Sequence, residues 1–203
     1  MEYILNKKIF QFKISLIGTK PLIWRRIQVP SNYSFWDLHV AIQNSMGWLD
    51  YHLHNFEIKD PKTHSKIEIG IPMDDFTAWG RKILPDHKIK ISKYFNEYNK
   101  KAIYEYDFGD SWRHEIKLEK ILDAEPNETY PKCIAGKLAC PPEDCGGIGG
   151  YYYFLEVIND PSHEEYEDVI EWLGEDEYDY KYFDPKNIFF DDPKERFDFK
   201  NGW

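Results

Sequence analysis

Tyr104-Glu105-Tyr106-Asp107-Phe108-Gly109-Asp110-Ser111-Trp112-Arg113-His114 decides the fold. Ala102 to Asp107 and Trp112 to Leu122 read as two strands on either side of Phe108-Gly109-Asp110-Ser111. Asp and Gly in so short a connection are hairpin chemistry, because both accept the left-handed backbone of a tight turn. In the second strand Trp112, His114, Ile116 and Leu118 alternate with Arg113, Glu115, Lys117 and Glu119. Period-two alternation means one buried and one wet face, and it puts His114 on the apolar side.

The same period recurs outward toward the N-terminus. Phe10, Phe12, Ile14 and Leu16 share a face within Ile9 to Ile17. Gly18-Thr19-Lys20-Pro21 reads as a turn into a second strand, Leu22 to Val29, stopped by Pro30. Ser34 with Asp37 three residues on predicts a capping box. Phe35, Leu38, Ile42 and Met46 then follow at helical spacing up to Gly47. Tyr51 to Lys59 alternates again, with His52, His54, Phe56 and Ile58 on one face. Lys66 to Ile71 is a short strand, and Pro72 to Pro85 is a loop with helical turns around Phe76 to Trp79. Lys90 to Phe95 fits a helical turn or an extended segment.

Toward the C-terminus, Asp123 to Lys137 reads as a loop carrying Pro126, Pro131 and Cys133. Tyr151 to Ile158 is predicted helical, directly after a run of glycines. Ser162 and Glu165 suggest another capping box before a helix with Tyr166, Val169, Ile170 and Leu173 on its apolar face, ending at Gly174. Residues 175–203 are acidic and aromatic, and are expected to wrap the surface with little regular structure. The pattern predicts an α+β fold: a mostly antiparallel sheet with one early helix and C-terminal helices packed on it. A chain of 203 residues suits one domain, with its core over about 9–174.

Lys and Arg number 26 against 36 Asp and Glu, a net charge of −10 that opposes nucleic acid and anionic membranes. The compact basic trio Lys20, Arg25 and Arg26 reads as a solvated strand face. No apolar run approaches the ~18 residues of a membrane span. The start of the chain lacks the apolar region of a secretory signal, and three cysteines is an odd number. The expectation is a cytoplasmic protein with reduced thiols.

Chemistry concentrates in Cys140-Pro141-Pro142-Glu143-Asp144-Cys145-Gly146-Gly147-Ile148-Gly149-Gly150. The spacing of Cys140 and Cys145 is compatible with half of a zinc site, which here would need histidine or carboxylate partners. Buried cysteines acting as small hydrophobes are the competing reading. The glycines match neither the Walker nor the dinucleotide-binding pattern. Tight turning and close backbone approach suit them better than an anion nest. Alternate strand residues lie roughly 6.5–7 Å apart on one face, so His52 and His54 can bracket one ion or ligand. Asp107 and Asp110 flank the hairpin turn beside His114, as ligands, as a base, or as turn caps.

The chain resembles the plasmid ORF-three-like family, first named from a root-inducing plasmid. The resemblance rests on three motifs in order: Met46-Gly47-Trp48-Leu49-Asp50-Tyr51-His52-Leu53-His54-Asn55-Phe56, the Tyr104 to His114 hairpin, and Cys140 to Gly147. It spans about Phe10 to Leu173 and takes in Trp24-Arg25-Arg26. It implies a compact α+β domain, and the names of some members, insertion-element passenger or TnpR-like, imply a link to mobile elements. It implies no reaction. A serine recombinase would need a nucleophilic serine among arginines near the N-terminus, and that cluster is not in the sequence.

These readings converge on a small-ligand- or metal-binding domain. The expected ligand-binding residues are His52, His54, Asp107, Asp110, His114, Glu143, Asp144, Gly146 and Gly147. For a divalent metal such as zinc they are His52, His54, His114, Cys140 and Cys145. The alternatives are a non-catalytic protein-interaction module of mobile elements and a metal- or cysteine-dependent hydrolase. The partner is then a small ligand or a protein, with nucleic acid disfavoured by charge and no membrane.

Overall fold

Alternation of apolar residues becomes an eight-stranded, mostly antiparallel sheet in the computed structural model, which describes residues 8–72, 83–174 and 178–201. The strands are β1 (Lys8–Leu16), β2 (Trp24–Pro30), β3 (His54–Lys59), β4 (Lys66–Gly70), β5 (Ile83–Pro85), β6 (Lys101–Tyr106), β7 (Trp112–Asp123) and β8 (Lys132–Lys137). Their spatial order is β5-β4-β3-β6-β7-β1-β2-β8, and only β4 with β5 is parallel. The helices are α1 (Phe35–Met46), α2 (Gly147–Ile158), α3 (Tyr166–Leu173) and α4 (Pro193–Asn201). The helical turns expected around Phe76 to Trp79 lie outside the described residues.

The Tyr104 to His114 stretch forms the expected hairpin, with Tyr104 opposite His114 and Tyr106 opposite Trp112. Phe12, Ile14, Ile27, Phe56, Tyr104, Trp112 and Ile116 are buried from five strands, and α1 covers them with Phe35, Leu38 and Ile42. The α1 start is the predicted capping box. Ser34 Oγ accepts from the Asp37 N–H at 3.1 Å, and Asp37 Oδ2 accepts from the Ser34 N–H at 2.7 Å. The opposite sheet face is polar. At a bulge between β1 and β7, Glu119 accepts from Arg26 Nε at 2.6 Å and Gln11 Nε2 at 3.0 Å.

Five expectations of secondary structure change, the first being Ile83–Pro85, read as the end of a loop and found as the short strand β5. Lys132–Lys137, read as loop, is an edge strand whose mixed composition and partial burial show no alternation. α2 begins at Gly147 rather than Tyr151, so the glycines form its first turn. Glu165 caps no N–H of α3, and Ser162 instead bonds Asp160. The tail carries α4, started by Asp192, which accepts from the Lys194 N–H at 2.8 Å, with Pro193 in the first turn, where its missing N–H costs nothing.

Arg25 is not part of a solvated basic face. Strand alternation turns it inward, 2 % exposed, while Arg26 faces out on Glu119. The Arg25 guanidinium donates to the carbonyls of Ser45, Trp24 and Lys137 at 2.8, 3.0 and 3.2 Å. It lies 3.9 Å over the Phe183 ring.

Candidate functional site

Two groups of imidazoles and carboxylates border one cleft. The first is assembled from three distant segments. His52 precedes β3, Asp107 follows β6 at the hairpin turn, and Asp144 lies in the loop before α2. His52 Nε2 stands 2.8 Å from Asp144 Oδ1 and 3.7 Å from Asp107 Oδ2. Asp107 and Asp144 both adopt left-handed backbone, φ 54° and 59°, a conformation that surrounding contacts must hold.

Those contacts come from the loop's own sequence. Asp110 Oδ2 accepts from the Gly146 N–H at 3.1 Å, which ties the hairpin turn to the loop. Glu143 accepts from the Tyr106 hydroxyl and, at 2.7 Å, from the Leu49 N–H. Trp48 Nε1 donates to the Pro141 carbonyl at 2.9 Å. Gly147, at φ 67°, would place a Cβ 2.5 Å from the Asp110 carbonyl oxygen. At Gly150 a Cβ would lie 1.8 Å from the Cys145 carbonyl oxygen. Close backbone approach therefore requires glycine at both positions.

The second group is buried. His39 of α1 and His54 of β3 stack face to face, centroids 3.5 Å apart and planes 9° apart. His39 Nε2 contacts Asp50 Oδ1 at 2.9 Å and its Nδ1 contacts the Tyr104 hydroxyl at 2.8 Å. Gln43 Nε2 donates to the same hydroxyl at 2.8 Å. His54 Nε2 contacts Asp86 Oδ2 at 2.9 Å. Lys200 of α4 reaches Asp50 Oδ1 at 2.7 Å. Burial, with the His54 ring alongside, pushes His39 down to about 3. Burial raises the Asp50 carboxyl, but the bonds from His39 and Lys200 outweigh it and leave it below the usual range. Asp86 is lowered in the same way, burial being outweighed by His54 and the His87 N–H.

Between the groups lies a cleft of about 600 Å³, lined in part by Trp36, Tyr51, His52, Asp86, Phe197 and Lys200. The Trp36 ring meets Phe197 edge-on at 5.4 Å, and its Nε1 donates to the Pro193 carbonyl at 2.8 Å. α4 is thus one wall of the cleft.

His52, Asp107 and Asp144 therefore meet, with Asp110, Glu143, Gly146 and Gly147 supporting them. His54 points away into the second group, because β3 starts only there and His52 lies outside the strand. His114 joins neither. It is fully buried against Trp48 and Tyr104, its Nδ1 faces the Trp112 carbonyl at 3.0 Å, and burial pushes it down to about 3. The five residues expected to share a metal do not form one set. Among the described residues, no metal-sized group unites a thiol with an imidazole. Burial pushes the thiols of Cys140 and Cys145 up to about 12, the reverse of an activated nucleophile.

His39, Asp50, Asp86, Tyr104 and Lys200 were not singled out in the sequence. His39 and Gln43 sit beside the predicted α1 stripe, four apart and so on one helix face, which was the one legible signal. Asp86 and Lys200 lie in segments without periodicity.

Residues 8–187 match the plasmid pRiA4b ORF-3-like protein family. The chain is 33 % identical over 172 residues to "Uncharacterized protein y4hQ" of Sinorhizobium fredii (strain NBRC 101917 / NGR234), covering 84 % of each. It resembles the crystal structure of the protein of unknown function MM3350 from Methanosarcina mazei Go1. There the TM-score is 0.83 at 50 % identity, over 91 % of this chain and 99 % of that one. No helix among the described residues is long and apolar enough to cross a membrane. With the match running through all three motif segments, the chain belongs to the plasmid pRiA4b ORF-3-like family.

Proposed function

We propose that this chain is a small-ligand-binding domain whose ligand enters the cleft and is anchored through His52, backed by Asp107 and Asp144. The observation that carries this reading is the convergence of three remote segments on one imidazole at the wall of a cleft of about 600 Å³, within the range of small-molecule sites. Trp36, Tyr51 and Phe197 supply flat apolar walls. The acidic backing favours a ligand that brings a hydrogen-bond donor or positive charge to His52, and the net charge of −10 favours the same partner.

The alternatives find less support. The tail aromatics Phe183, Phe197 and Tyr178 pack on their own chain, which leaves a protein partner fewer of them. A cysteine hydrolase is disfavoured by thiols that stay protonated. The test is a fragment screen on the full chain by thermal shift, repeated on His52→Ala. Hits that lose at least about tenfold in affinity, without loss of melting temperature, support the reading. Hits indifferent to His52 contradict it.

A further inference from the structure

We infer that the buried His39–Asp50–His54 group is a second site, a binding site for one divalent first-row metal ion, distinct from the His52 rim. One nitrogen of each histidine and one Asp50 oxygen lie within 4.8 Å of one another, all three residues buried. Two of these side chains hold atoms that are fully buried and without a hydrogen-bond partner, Asp50 Oδ2 and His54 Nδ1. A carboxylate oxygen can only accept. In the neutral tautomer of His54 that donates Nε2–H to Asp86, Nδ1 is an acceptor too. A cation held by this group would satisfy both acceptors.

The surroundings have the form that metal-binding histidines use. Each ring turns its other nitrogen to an orienting partner, His54 to Asp86 and His39 to the Tyr104 hydroxyl. Gln43 Nε2 donates to the Tyr104 hydroxyl, which donates in turn to His39 Nδ1, so His39 carries its proton on Nε2, toward Asp50. A metal at Nε2 takes the place of that proton, which leaves to solvent. Two imidazoles and one carboxylate are a donor set for zinc or iron(II), not for calcium or magnesium, which want more oxygens.

Lys200 marks the competition. Its ammonium already sits 2.7 Å from Asp50 Oδ1, supplying a positive charge from the cleft side. A metal has to displace it, so Lys200 lowers the affinity. The stacked rings must also fan apart, since an imidazole lone pair lies in its ring plane and parallel planes cannot share one ion.

The test is titration of the full, untagged chain with cobalt(II), read by visible absorption and by metal content after desalting. Wild type is expected to bind one equivalent with ligand-field bands. His39→Asn and His54→Gln should abolish the bands, while His52→Ala and Asp144→Asn keep them. Lys200→Met, at the end of a surface helix, should bind at least about tenfold tighter than wild type, because it removes a cation at contact distance. Asp50→Asn, nearly isosteric, covers the case in which a histidine variant fails to fold, and should also lose the bands. The inference is overturned if wild type and Lys200→Met both bind no cobalt, or if binding survives Asp50→Asn and disappears in His52→Ala. That last outcome would leave the cleft reading standing, so the two claims fail separately.

Discussion

The imidazoles of His39 and His54 lie 3.5 Å apart and nearly parallel, one brought by α1 and the other by β3. Two such rings cannot both carry charge without strong repulsion, and burial with the His54 ring alongside holds His39 uncharged.

Acid should therefore destabilise the fold before the carboxylates titrate. His39 and His114 are each held down to about 3, so unfolding lets them take up protons near their ordinary value of ~6.5. Their contribution is complete above pH ~6.5 and is lost as pH falls toward 3. Urea unfolding at pH 7 and pH 5 should show stability lower by about 2–4 kcal/mol at pH 5. His114→Gln should remove about half of that dependence. A flat profile would mean these rings are not held neutral. Asp50 and Asp86, held low, extend the loss as pH falls below their ordinary range near 4.

Arg25 ties β2 to the end of α1 and to β8 with no carboxylate partner among the described residues. Arg25→Met keeps much of the packing but strands the carbonyls of Ser45 and Lys137. It is expected to lower stability by about 2–4 kcal/mol, measured by denaturant unfolding. A loss under about 1 kcal/mol would show that the guanidinium is not bridging.

The loop glycines should separate cleanly. Gly147→Ala and Gly150→Ala each meet backbone oxygen well inside contact distance, whereas a Cβ at Gly149 meets nothing. The first two should cost roughly 2 kcal/mol or more and weaken cleft binding by displacing Asp144, while Gly149→Ala should be neutral or slightly stabilising. Equal melting temperatures for all three would refute this account of the loop.

α4 closes the cleft through Phe197 and Lys200. Phe197→Ala should lower global stability by only about 1–2 kcal/mol, since the ring is a rim contact. It should speed hydrogen exchange at Trp36 Nε1, whose acceptor is the Pro193 carbonyl. Unchanged exchange there would show that the helix is held by other means.

Alternation carried the sheet. Phe12 to Leu16, Trp112 to Leu118 and Phe56 to Ile58 each bury alternate residues, and a two-residue period survives any tertiary context that covers one face. β8 and β5 escaped because these edge strands bury no residue fully and so impose no pattern, β5 being only three residues long. The site was half legible. His52, Asp107 and Asp144 stood out as chemistry-bearing residues beside turns. His54 parted from His52 because the strand begins between them, and no spacing rule marks that boundary. Asp50, Asp86 and Lys200 enter through tertiary contacts between segments whose local sequence says nothing of one another.

The most direct test of the cleft reading is a two-dimensional NMR fragment screen of the full chain, following the Trp36 indole N–H and the His52 ring. The account predicts that binding fragments shift both signals together and that His52→Ala weakens the response. Fragments that bind while leaving Trp36 and His52 unmoved, or that respond equally in His52→Ala, would contradict it.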